Sequence, residues 1–126
     1  MVTDKPKILI VDDDEKMADT LFDILKIKGY QSQVAYSGQD AFKKIKKSFF
    51  NCVISDVRMP GMNGIGLYKV IKNIQPNLAV LFMSAYPFDK TIREELKNNP
   101  ITVLTKPLDV NLLFELLSQI MLGSTK

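Results

Sequence analysis

A parallel, five-stranded α/β sandwich is the fold predicted for this 126-residue chain, on three features of its sequence. Short apolar runs at residues 7–11, 31–36, 52–55, 78–83 and 101–105 alternate with amphipathic stretches, and strict β–α alternation favours a parallel sheet with helices on both faces. Four of the runs stop at polar groups: Asp12–Asp13 after KILIV, Asp56 after CVIS, Ser84 after AVLFM and Lys106 after ITVLT. The remaining run, QSQVAY, alternates polar and apolar residues, as an edge strand does. Strand order 2-1-3-4-5 reconciles these features. It makes the strands that end in functional groups the central ones and puts a crevice at the switch point between strands one and three.

Each element has a local cause. KILIV is bulky throughout, as a strand covered on both faces must be. Met17, Leu21, Ile24 and Leu25, with Lys28, then fall at helical spacing, and Gly29 supplies a C-terminal stop. After the second strand, Ser37-Gly-Gln-Asp40 resembles a capping-box start for a helix carrying Ala41, Phe42 and Ile45. Leu67, Val70, Ile71 and Ile74 mark a third helix, closed before Pro76. A fourth, near residues 89–98, is mostly polar, with Ile92 and Leu96 as its apolar anchors. Asp109 caps the fifth, whose Leu112, Leu113, Leu116, Leu117 and Ile120 form a broad apolar face.

The length suits one domain, with a core across about residues 6–121 and a short tail at 122–126. Apolar residues at 46% and charged residues at 25% are ordinary for a soluble globular chain. No apolar run is long enough to span a bilayer, and MVTDKPK lacks a signal-peptide stretch, so the expected location is the cytoplasm. The lone Cys52 lies within an apolar run and reads as a small buried hydrophobe. A net charge of +3 is too small to argue for nucleic acid binding; Lys43, Lys44, Lys46 and Lys47 read as a solvated helix face. The chain has no histidine, which excludes a phosphohistidine, a histidine base or a histidine metal ligand within it.

Strand ends in a parallel sheet share one edge, so Asp12, Asp13, Asp56, Ser84 and Lys106 are expected in one pocket. Three neighbouring carboxylates repel one another and call for a cation. Mg²⁺ suits them: it is hard, prefers oxygen and keeps several waters beside one or two carboxylates. A carboxylate such as Asp56 can attack phosphorus and become an aspartyl phosphate, Lys106 can pair with a phosphate oxygen, and Ser84 can donate to another. Singly, each residue has an ordinary explanation; Asp13 or Asp14, for instance, can simply cap the next helix. Their joint position at strand ends is what argues for a site.

The segments ILIVDDDEKM, VISDVRMPGMNGI, VLFMSAY and VLTKPLD resemble the receiver domain of two-component response regulators over nearly the whole chain. The combination of D-x-x-M-P-G-M-N-G with the later Ser-Ala and Lys-Pro is highly specific. The resemblance implies a flavodoxin-like (βα)5 fold and a phosphoacceptor at Asp56. It also implies Mg²⁺ bound by Asp13, Asp56 and the backbone carbonyl of Arg58, with Asp12 acting largely through water. Ser84 and Lys106 would contact the phosphoryl group, and the bond before Pro107 would be cis. The implied donor is a phosphohistidine on a sensor histidine kinase or phosphotransfer protein. The implied output is a changed protein-binding face, serving a downstream partner or an effector domain outside this sequence; a homodimer is a further possibility the sequence leaves open. No contact with nucleic acid or membrane is expected of this domain.

Two departures from the family pattern stand out. Val103 occupies a position where the family often has Tyr or Phe, and NNPI replaces the usual Gly-Ala turn, so coupling is expected to be weaker or to use another element, with Tyr86 a candidate. Arg58 and Tyr86 are also expected to tune phosphoryl lifetime. Among competing readings, a haloacid dehalogenase-type phosphatase would take Asp12 as nucleophile. Against it, Lys16 stands where that family has Thr or Val, and no acidic pair follows Lys106. A receiver-like module that binds partners without phosphorylation is the other alternative. An EF-hand reading of DDDE fails on the spacing of its required Gly and Glu.

Overall fold

The computed structural model describes residues 7–59, 61–85 and 101–124, with Lys90, Arg93, Glu94 and Lys97, and for 121–124 only the helical backbone. Apart from those four isolated positions, the expected fourth helix lies outside the described residues, as does Tyr86. The described strands are β1 (Lys7–Val11), β2 (Gln31–Ala35), β3 (Cys52–Asp56), β4 (Ala79–Ser84) and β5 (Thr102–Thr105). They form one sheet of order β2-β1-β3-β4-β5, and every pairing is parallel. Helices α1 (Glu15–Ile27), α2 (Gly38–Lys47), α3 (Gly64–Ile74) and α4 (Val110–Ser124) cover it.

The sheet's two faces carry separate cores because side chains alternate along each strand. Ile8, Ile10, Cys52, Ile54, Leu81, Met83 and Leu104 face one side and pack with Ala18, Leu21 and Leu25 of α1 and Leu113 and Leu117 of α4. Leu9, Val11 and Val53 face the other, against Ala41 and Ile45 of α2 and Leu67 and Ile71 of α3. Each such Leu or Ile, fully buried, contributes roughly 1.5–3 kcal/mol of transfer free energy. Cys52 is wholly buried, and burial pushes its thiol pKa up to about 12. It is packing material, as its apolar run indicates.

The helix ends follow their local chemistry. The Asp14 side chain accepts from the Met17 amide at 3.1 Å, so Asp14, not Asp13, caps α1. At the other end Gly29, with φ +89°, lets the Gly29 amide reach the Lys26 carbonyl and the Tyr30 amide reach Leu25, a Schellman stop. The Ser37 hydroxyl accepts from the Asp40 amide at 3.0 Å, half of the expected capping box, while the Asp40 carboxylate pairs with Lys44 at 2.9 Å. Asn63 and Asp109 cap α3 and α4 through the Gly66 and Leu112 amides. On α2, Lys46 lies over the Phe42 ring, and Lys43, Lys46 and Lys47 are exposed, the solvated face expected of them.

Two expectations need correcting. The order 2-1-3-4-5 holds, but by that order the strand before Lys106 is not central: β5 pairs with β4 alone among the described strands and forms the sheet's second edge. Only Leu104 of its four residues is buried, so its apolar appearance reflects one-sided packing. Leu112 is likewise not part of a buried face; it is 42% exposed, whereas Leu113 and Leu117 are fully buried.

Candidate functional site

The sheet's C-terminal edge gathers the polar residues because β1, β3, β4 and β5 all end there. Asp12 directly follows β1, and its amide donates to the Ala35 carbonyl of β2 at 3.1 Å, continuing the ladder one residue beyond the strand. Asp56 is the last residue of β3 and is 9% exposed. Beyond it, the Val57 amide donates to the Met83 carbonyl at 3.1 Å, and the Arg58 amide lies 3.3 Å from one Asp56 oxygen. Gly64 is needed at the start of α3: a Cβ there would stand 2.3 Å from the Asp56 carbonyl oxygen. The phosphoacceptor candidate's own backbone therefore presses against the helix that follows it.

Lys106 bridges the pocket. Its Nζ lies 3.0 Å from Asp56 Oδ2 and 3.4 Å from Asp12 Oδ2. Burial alone would lower its pKa, but the hydrogen bond to Asp56 and the charges of Asp12 and Asp56 hold it above the ordinary lysine range. The Lys106 amide also donates to the Ser84 carbonyl at 2.9 Å, so the last two strands deliver Ser84 and Lys106 as hydrogen-bonded neighbours. Ser84 is 1% exposed. The Lys106–Pro107 bond is cis, as the resemblance implies.

Asp12, Asp13 and Asp56 each offer a carboxylate oxygen, and these atoms lie within 4.8 Å of one another. Asp12 is fully buried, and its pKa is pushed up to about 6, chiefly by desolvation and further by the Asp56 charge, against the lowering effects of the Asp14 amide and Lys106. Three carboxylates and one lysine leave two negative charges when all are ionised. One divalent, oxygen-seeking cation balances that residue, so the donor set fits Mg²⁺.

The structure thus brings Asp12, Asp13, Asp56 and Lys106 into one cluster, with Ser84 tied to Lys106 through the backbone and exposed Arg58 two residues beyond Asp56. Asp14 caps α1 through one carboxylate oxygen and is not among the three acids that cluster. Met59, 8% exposed beneath the loop after Asp56, carried no sequence signal beyond its motif membership. Gly64 gave only the general hint that a glycine beside a helix start permits close approach.

Fold and crevice together define a doubly wound α/β domain with its ligand chemistry at the switch point, of the flavodoxin-like type. The chain belongs to the response regulator receiver domain family, whose family model matches residues 8–118. It is 39% identical over 119 residues to the transcriptional regulatory protein ZraR of Salmonella typhimurium, covering 94% of this chain but 27% of that protein. It therefore spans about a quarter of the length of that relative. Sporulation initiation phosphotransferase F of Bacillus subtilis is 34% identical over 105 residues, covering 83% of this chain and 85% of that one. Among solved structures, response regulator TrrA of Thermotoga maritima, in complex with Mg²⁺-BeF, superposes with a TM-score of 0.80 at 25% identity, over 90% of this chain and 97% of that one. No helix among the described residues is long and apolar enough to cross a membrane.

Proposed function

We propose that this domain is a phosphorylation switch in which Asp56 accepts a phosphoryl group. The observation that carries the reading is the lysine bridge: Lys106 holds Asp56 at 3.0 Å and Asp12 at 3.4 Å in a cluster fitted to a divalent cation. Asp13, Asp56 and the Arg58 carbonyl would hold Mg²⁺, with Asp12 acting through water. When bound, the ion supplies positive charge to the transferring phosphoryl oxygens.

In the transfer, an Asp56 carboxylate oxygen forms a bond to phosphorus as the donor's N–P bond breaks, and the nitrogen keeps that electron pair. Lys106 then exchanges its carboxylate contact for a phosphoryl oxygen, and Ser84 donates to another. A phosphoryl group adds roughly −1.5 to −2 charge and strong acceptor oxygens, enough to draw both groups inward. Residues 1–126 contain no histidine, so the donor phosphohistidine would lie outside them, on a sensor histidine kinase or a phosphotransfer protein. Hydrolysis at Asp56 resets the state, which makes the domain a self-acting switch and not a turnover enzyme. Residues 1–126 would form the receiver unit, working in the cytoplasm and passing its state to a partner protein or an effector segment, as a regulator of the ZraR type would need.

The test is intact mass after incubation with Mg²⁺ and acetyl phosphate or phosphoramidate, with rapid quench. One phosphoryl adduct is expected, dependent on Mg²⁺ and lost in Asp56→Asn. An adduct retained in that variant would move the acceptor, with Asp12 next to try. No adduct from either donor would leave a module that binds partners without phosphorylation.

A further inference from the structure

We infer that the first turn of α2 is the seat of the loop following Asp56, and that Gly38 is a positioning residue for the cation-binding pocket. The inference rests on the reading that the Arg58 carbonyl and Asp56 hold a divalent ion. Four observations place the loop on α2. A Cβ at Gly38 would lie 2.3 Å from the Met62 carbonyl oxygen and 2.9 Å from Met62 Cβ, so loop and helix touch backbone to backbone. At Gly61, with φ +72°, the Gln39 amide nitrogen would come within 2.9 Å of a Cβ. Met59 is buried in the cluster that holds Ala41 and Ile45 of α2. Met62 packs against that same cluster.

Arg58 thus lies between Asp56, fixed at the end of β3, and Met59, fixed in the α2–α3 core. Gly61 and Met62 then rest on Gly38 and Gln39. The height of this segment above the sheet is set by how closely α2 lets it approach. A methyl group at residue 38 must push the Met62 carbonyl away by about 1 Å to reach ordinary contact, and backbone cannot swing aside as a long side chain can. The displaced segment is the one that carries Arg58. Mg²⁺ demands near-ideal octahedral geometry and tolerates such a shift poorly. No residue of α2 need touch the ion for this to matter.

The experiment is Mg²⁺ titration calorimetry on the wild type, Gly38→Ala, Gln39→Ala and Gly29→Ala, with urea stability measured alongside. Gly29, at φ +89° with nothing within 4 Å of its missing Cβ, provides a variant strained far from the pocket. Gly38→Ala is expected to weaken Mg²⁺ binding roughly tenfold or more, in the range of outer-shell changes at metal sites. Gln39→Ala should give a smaller loss in the same direction. Gly29→Ala should lose stability and keep wild-type Mg²⁺ affinity.

Equal Mg²⁺ affinity in the wild type and Gly38→Ala would overturn the inference while leaving the phosphoacceptor reading intact. A wild type that binds no Mg²⁺ would remove both. If Gly38→Ala does not fold, amide exchange in the wild type decides. Coupling is reciprocal, so Mg²⁺ with beryllofluoride should slow exchange at Ala41, which donates to Ser37, more than at Ser48, which donates to Lys44. Equal slowing at both ends of α2 would refute the seat.

Discussion

Replacing Asp12 by Asn should make the ion-free domain more stable while weakening its affinity for Mg²⁺ roughly 10–100-fold, as for an outer-shell partner. Asp12 is fully buried, and its pKa stands at about 6 in the fold against an ordinary 3.8. Between those values the folded state binds a proton that the unfolded state has lost, so stability falls as pH rises through that window. At pH 7.5 the ionised group costs up to about 3 kcal/mol, from a shift of about 2 units at 1.36 kcal/mol each. Asn removes that charge and can still accept from the Asp14 amide, as Asp12 does at 3.0 Å. It loses the 3.4 Å contact with Lys106 and turns a donor towards that ammonium. The expected net gain is therefore about 1–2 kcal/mol, or roughly 3–8 °C in Tm for a domain of this size. Urea denaturation in EDTA at pH 7.5 measures it. Near pH 4.5 the difference should shrink, because wild-type Asp12 is then largely protonated in the fold. With Mg²⁺ added, the wild type should gain more stability than the variant. A variant less stable than wild type at pH 7.5, or a gain unchanged at pH 4.5, would refute the desolvation argument.

Two further variants test the same pocket and its neighbourhood. Lys106→Ala leaves two carboxylates without their shared cation; ion-free stability should fall by about 2–3 kcal/mol, less than for a wholly buried pair because the lysine side chain is 19% exposed. Its Mg²⁺ affinity should rise severalfold, read by calorimetry, and a fall would show that the lysine does not compete with the ion. Val103 is half-buried, lies opposite Phe82 in register, and packs on the Tyr68–Phe82 pair. Val103→Tyr should enlarge the beryllofluoride-induced NMR shifts around that pair, and shifts equal to wild type would mean that a ring at this position adds no coupling.

Much of this molecule is legible in its sequence because burial and strand ends leave marks there. KILIV and CVIS read as covered strands since both faces of β1 and β3 meet helices. The acids stand out because several apolar runs stop at polar groups on one sheet edge, which no single helix cap explains. The expected order already set β5 at an edge, yet ITVLT is apolar enough to look central; only Leu104 is buried, and one-sided packing cannot be told from two-sided packing over four residues. Asp13 and Asp14 were interchangeable as caps until the Met17 amide chose Asp14. The elevation of the Asp12 pKa was invisible, since desolvation depends on what surrounds the carboxylate and not on what precedes it. Close approaches at Gly38 and Gly64 were equally hidden, because a glycine announces freedom without saying which neighbour uses it.

The edge position of β5 has a consequence for how such a switch can be retuned. Of the pocket's acids, Asp12 follows β1 and Asp56 ends β3, strands held by neighbours on both sides, whereas Lys106 follows a four-residue strand that has a neighbour on one side alone among the described strands. The acids are thus braced from two sides and the lysine's strand from one. On the proposed reading, substitutions along that singly braced edge, Val103 among them, would alter what a partner meets of the phosphorylated state and leave the doubly braced acids in place.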